Sequence, residues 1–160
     1  MKDFKDSLLA GIAAAQKAEN NRNEIRSIFC SVDEQIKDIS DHKASLGLTR
    51  LYRKDESYAT QAFIALSQQL NLGHKREEYT AIAIFDVEGK NGIEIAEWSE
   101  DDSGYPCSIR YNGEKVFCSN KQELEQALSN LLMEVKTGEA ILTQINAHDK
   151  KNKSQDADPV

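Results

Sequence analysis

The run Cys107-Ser108-Ile109-Arg110-Tyr111-Asn112-Gly113-Glu114-Lys115-Val116-Phe117-Cys118 reads as two short strands around an Asn-Gly turn. A two-residue hairpin loop of type I′ needs positive φ at both central residues, and Asn-Gly is the pair that best tolerates it. The turn fixes the register. Tyr111 faces Glu114, Ile109 faces Val116, and Cys107 faces Cys118, with all six on one face. Cys107 and Cys118 are expected as two small core hydrophobes; a redox pair or half a metal site is the functional alternative.

Before this hairpin the chain has the same strand character. Tyr79 to Val87 is an apolar run with β-branched and aromatic residues, Glu88 to Gly92 is a turn, and Ile93 to Trp98 is a second strand. Residues 81–87 are apolar on both faces, with Ile82 and Ile84 on one and Ala83, Phe85 and Val87 on the other. Trp98 and Phe117 are expected to extend the second face, which requires a cover from the helix at 57–71 or from a partner. That helix repeats Tyr58, Ala62, Leu66 and Leu70 at intervals of four, with Ser57 as cap and Gly73 as stop. After the hairpin, Ser119 to Gln122 caps a helix that buries Leu124, Leu128, Leu131, Leu132 and Val135 and is kinked or ended by Gly138. Residues 140–145 continue it briefly. The module therefore reads α-β-β-β-β-α with a four-stranded antiparallel sheet, an α+β fold.

Residues 1–47 are a separate helical arm in this reading. Leu8, Gly11, Ala15, Ala18, Arg22, Ile25, Phe29, Val32, Ile36 and Ile39 follow each other at intervals of three and four, a coiled-coil-like seam. A continuous helix over 3–46 would run about 66 Å, against about 34 Å for the module, so its own domain cannot cover it. Either it breaks, at Asn20 to Asn23 or at Ser31 to Glu34, and folds back, or it pairs with another chain. Ile25, Phe29, Val32, Ile36 and Ile39 are the residues expected to carry self-association, making the protein a homo-oligomer. The module covers 48–147, with residues 48–53 either an edge strand or a helical turn, and 148–160 is expected to be a disordered tail.

The chain has 160 residues, 39% of them hydrophobic and 29% charged, with a formal net charge of −7. These figures describe a globular acidic chain. Basic and acidic side chains number ten and ten over residues 1–57, five and ten over 58–118, and five and seven over 119–160. No Lys/Arg block is long enough to track a phosphate backbone or a membrane surface, so neither direct nucleic-acid nor membrane binding is expected. Three cysteines do not make a disulfide framework, and the opening Met1-Lys2-Asp3-Phe4-Lys5-Asp6 carries both signs of charge, so a cytoplasmic location is expected.

Sequence motifs for chemistry are absent. His42, His74 and His148 lie in separate segments without metal-ligand spacing, and there is no phosphate-binding glycine loop, nucleophile elbow or H-E-x-x-H. No catalytic, cofactor-binding or metal residue and no cofactor is assigned. The unusual stretch is Glu97-Trp98-Ser99-Glu100-Asp101-Asp102-Ser103-Gly104-Tyr105-Pro106, read as an acidic loop. As a contact surface it would use Trp98 and Tyr105 as anchors and Glu100, Asp101 and Asp102 to steer a basic partner protein; as a bland loop it is only solvated. The function read from the sequence is a non-enzymatic intracellular protein-binding adaptor, regulator or inhibitor that self-associates through its N-terminal helix. Alternatives are a small-molecule-binding protein or small enzyme with a scattered site, and an acidic DNA mimic.

Overall fold

A computed structural model describes residues 1–54, 58–71 and 76–156. The chain runs α1 (Lys5–Ile39), β1 (Ser45–Tyr52), α2 (Tyr58–Gln69), β2 (Glu78–Phe85), β3 (Ile93–Asp101), β4 (Gly104–Tyr111), β5 (Glu114–Cys118), α3 (Lys121–Leu132) and α4 (Val135–Asp156). The architecture is α+β, as the patterning predicts. The sheet has five strands rather than four, all antiparallel, in the order β1-β2-β3-β4-β5.

The added strand is β1. It takes Ser45 to Gly47 from the segment expected to be arm, so the module starts earlier than residue 48. The helix before it stops at Ile39 because Asp41 and His42 adopt left-handed backbone, with φ of 55° and 58°. Ser40 Oγ then accepts from the Ala44 amide at 3.1 Å, and Asp33 Oδ1 accepts from the Leu46 amide at 2.8 Å, which ties the new strand to the helix. Gly47, expected as the helix stop, lies inside β1 under the Phe85 ring, where a Cβ would stand 3.0 Å from Cε2.

The hairpin forms in the predicted register, with Cys107 opposite Cys118, Ile109 opposite Val116 and Tyr111 opposite Glu114. Asn112 and Gly113 have φ of 52° and 77°, the left-handed pair that a type I′ turn demands.

Helices α1, α3 and α4 pack on one face of the sheet. The core there joins Ile25, Ile28 and Ile36 of α1 to Leu46, Ile82, Ile84, Trp98, Ile109, Leu124, Leu128 and Ala140. Each fully buried aliphatic side chain contributes about 1.5–3 kcal/mol. Trp98 belongs to this face and not to the Ala83 face. A bulge in β3, where the register shifts between Ile82 and Ala83, flips the alternation between Ile93 and Trp98. Uninterrupted period-two counting misplaces it for that reason.

On the opposite face Ala81 and Ala83 are fully buried, and the Phe85 ring spans the glycines of the flanking segments; a Cβ at Gly92 would come 2.6 Å from Cε1. The cap and stop expected at Ser57 and Gly73 lie outside the described residues.

The α3 start is a reciprocal cap: Asn120 Oδ1 accepts from the Glu123 amide at 3.0 Å, and Glu123 Oε2 accepts from the Ser119 amide at 2.6 Å. The break after α3 comes at Met133 and Glu134, ahead of Gly138, which sits within α4. The Thr137 hydroxyl donates to the Leu131 carbonyl at 2.8 Å across that break. Helix α4 continues to Asp156, through residues expected to be a disordered tail. It is anchored by Ala140 and by Gln144, whose amide donates to the Ile84 and Asn91 carbonyls at 3.0 and 2.7 Å. A Lys43–Asp149 ion pair at 2.9 Å adds a further tie.

Candidate functional site

Helix α1 is unbroken over 35 residues, about 52 Å at 1.5 Å per residue. Neither expected break occurs. The asparagines are used by the helix surface instead: Asn21 Nδ2 donates to the Ser103 carbonyl at 3.0 Å, and Asn23 Oδ1 accepts from Arg26 at 3.1 Å. The two ends of α1 live in different surroundings. From Asn21 onward it docks on the sheet and α3; residues 1–17 are exposed throughout.

This division sets most of the stripe expected to carry self-association against the chain's own sheet. Ile25 and Ile36 are each 3% exposed and lie in the chain's own core, with Phe29 and Val32 packed against it. The fifth strand supplies the surface that accepts them: Leu46 on β1 lies opposite Ile84, widening the apolar face. Ile39 alone of that stripe is exposed, at 76%, beyond the edge of the core. At the other end of the helix, Phe4, Leu8, Leu9 and Ile12 are also uncovered.

The stretch expected to be an acidic loop is a tight strand connection. Glu100 and Asp101 end β3, Asp102 and Ser103 form the turn, and Gly104 opens β4 ahead of Tyr105 and Pro106, which are joined by a cis peptide bond. Asp101 organises the turn by accepting from the Ser103 amide at 3.1 Å and its hydroxyl at 2.6 Å, which holds the Asp101 carboxyl below its usual range. The turn grips α1: Arg22 donates to the Asp102 carbonyl beside the Asn21–Ser103 bond. Tyr105 donates its hydroxyl to Glu24 Oε2 at 3.1 Å; burial, then that carboxylate, push its phenol well above the ordinary value.

Trp98 and Tyr105, expected as partner anchors, both lie against α1. Trp98 is 6% exposed and meets Phe29 edge-on, with ring centroids 4.9 Å apart and planes at 82°. Tyr105 is half-buried against the arm. Glu100, Asp101 and Asp102 are exposed.

Where the projecting half of α1 meets the domain, a groove of about 690 Å³ opens. Ala14, Ala18 and Asn21 form one wall, and Tyr105, Pro106 and the start of α3 form the other. The sequence gives no signal for this groove, because its walls come from three distant segments.

A second concavity, about 590 Å³, lies over the polar end of the sheet. Arg53 donates to Glu97 through both terminal nitrogens, at 2.9 and 3.3 Å, and its guanidinium stands 4.8 Å above the Tyr79 ring. The Arg53 hydrogen bond holds the Glu97 carboxyl below its usual range. Arg110 and Lys115 adjoin Glu97 in register. Arg53 and Glu97 form the ion pair of this cluster, and the nearby Arg110 and Lys115 charges add to the lowering of the Glu97 carboxyl.

Cys107 and Cys118 are buried and free, and the Cys107 thiol sits 3.8 Å from the Cys118 carbonyl. Burial pushes the Cys107 thiol up to about 12, so it is a packed neutral group at ordinary pH. Among the described residues no cluster of three or more His, Cys, Asp or Glu side chains is placed to hold a metal, and no helix is long and apolar enough to cross a membrane. Comparison with protein-family models, with curated proteins and with solved structures finds no match to this chain.

Proposed function

We propose that this is a non-enzymatic protein-binding protein, an adaptor, regulator or inhibitor, that self-associates through the projecting segment of α1. One observation carries the reading. Leu8, Leu9 and Ile12 stand 66%, 55% and 64% exposed on a helix that has left its own domain. An isolated helix of this length is marginal in water, since nucleation is unfavourable and propagation gains little per residue. Tertiary cover normally stabilises such a segment, and among the described residues 1–17 remain exposed throughout. A second helix laid along it supplies that cover and removes the apolar side chains from water. The acidic, mixed-sign surface and the free cysteines fit a reducing cytoplasm.

Amide hydrogen exchange resolved over residues 5–20 tests the assignment. The reading expects exchange in this segment to slow as protein concentration rises, while residues 25–36 stay protected at all concentrations. Fast, concentration-independent exchange over 5–20 refutes it.

A further inference from the structure

The α1 seam that enters the core at Ile25 can be followed backwards by heptads into the projecting segment. Val32, Ile25, Ala18, Gly11 and Phe4 occupy one seam position; Phe29, Arg22, Ala15 and Leu8 occupy the other. In the docked half these positions hold large side chains that the domain covers. In the projecting half they alternate large at the outer end, Phe4 and Leu8, with small at the inner end, Gly11, Ala15 and Ala18.

This gradient has a consequence for a second copy of the same helix. In parallel register every layer would match itself: Phe4 with Phe4, Gly11 with Gly11, Arg22 with Arg22. The small layers would leave gaps and the arginines would confront each other. Reversing the second helix pairs unlike layers. Leu8 then meets Ala18, Gly11 meets Ala15, and Phe4 meets Arg22, so each bulky residue fills the space over a small or flexible one. Flanking positions follow. In an antiparallel pair, residues on the same edge of the seam face one another. That places Lys5 against Glu19 of the second copy, Ile12 against its own counterpart, and Glu19 against Lys5. Both ion pairs are of opposite sign, and parallel pairing offers neither.

We infer that the occupant of the projecting segment is a second copy of this chain running antiparallel over about residues 4–22, which brings its Phe4 to the mouth of the groove between Ala18 and Tyr105–Pro106. The inference rests on the self-association proposed above and adds its orientation, register and groove ligand. The groove opens at the level of Ala18 and Asn21, where the antiparallel register delivers Phe4. Phe4 is 59% exposed in the single chain. Each groove is thus completed by a residue from the other copy, and the assembly closes as a two-fold dimer.

Cysteine cross-linking of full-length chains tests this. Lys5→Cys and Glu19→Cys are made separately in a Cys30→Ala background, because Cys30 is exposed while Cys107 and Cys118 are buried. The two variants, one lengthened by a tag, are mixed, allowed to exchange, and oxidised with glutathione disulfide. The expected product is the mixed dimer of unequal chains. Self-linked Lys5→Cys and Glu19→Cys dimers in place of the mixed product overturn the antiparallel register while self-association stands. No cross-link from a chain that light scattering finds dimeric overturns the register alone. No cross-link from a monomeric chain overturns both readings. As a second measurement, Phe4→Ala is expected to weaken dimerisation about tenfold or more, as loss of a buried aromatic anchor does; unchanged affinity removes Phe4 from the groove.

Discussion

Gly104 sits against Asn21: a Cβ built on the glycine would stand 2.7 Å from the asparagine Cβ and 3.2 Å from the Arg22 backbone nitrogen. This contact lets the β3–β4 turn close on α1 and accept hydrogen bonds from Asn21 and Arg22. Gly104 also has φ of +88°, where an L side chain is strained. Gly104→Ala is expected to cost about 2 kcal/mol, from the backbone conformation and from the displaced helix together. Urea unfolding monitored by circular dichroism measures it. An unchanged midpoint would mean that the turn does not set the position of α1.

Trp98 is the chain's single tryptophan and lies edge-on to Phe29, so its emission reports on the docking of α1. Phe29→Ala is expected to destabilise the fold by about 3 kcal/mol and to shift Trp98 emission to the red as water reaches the ring. Fluorescence and chemical denaturation of the variant check both. Emission at the wild-type wavelength would place Trp98 away from the helix.

Folding holds Glu97 below the ordinary carboxylate value, chiefly through the Arg53 hydrogen bond. The sign follows from linkage: its contribution is complete above the unfolded value and is lost as pH falls through the lower folded value. Wild type is therefore expected to lose more stability than Glu97→Gln between neutral pH and the acid range. Denaturation midpoints of the two chains along a pH series measure the difference; parallel curves would show that the Arg53–Glu97 pair adds no pH-dependent stability.

The hairpin was legible to the residue because Asn112-Gly113 allows one turn and the turn allows one register. The heptad spacing of α1 was equally legible, but spacing does not say what covers a seam. Ile25 and Ile36 went to the chain's own sheet because β1 widened it, and β1 was hidden in a short segment whose Ser-Leu-Gly-Leu pattern suits a strand or a helix end. Trp98 was misplaced by a β3 bulge that composition does not mark. The 99–106 stretch looked like a loop because acids and Pro106 are poor strand formers, whereas the Asp101–Ser103 turn and left-handed Gly104 close it into a hairpin. The groove joins α1, β4 and α3 through long-range contacts, which one-dimensional periodicity does not encode.

The exposed apolar surface of Phe4, Leu8, Leu9 and Ile12 is the ground for the protein's proposed role, and molar mass tests it most directly. Static light scattering of the full chain across a wide concentration series is expected to rise from one chain mass towards two. The Leu8→Glu, Ile12→Glu double variant should stay at one chain mass with its circular dichroism of the sheet and core helices retained. A wild-type chain that holds a single chain mass throughout, or a double variant that associates as the wild type does, would contradict the account.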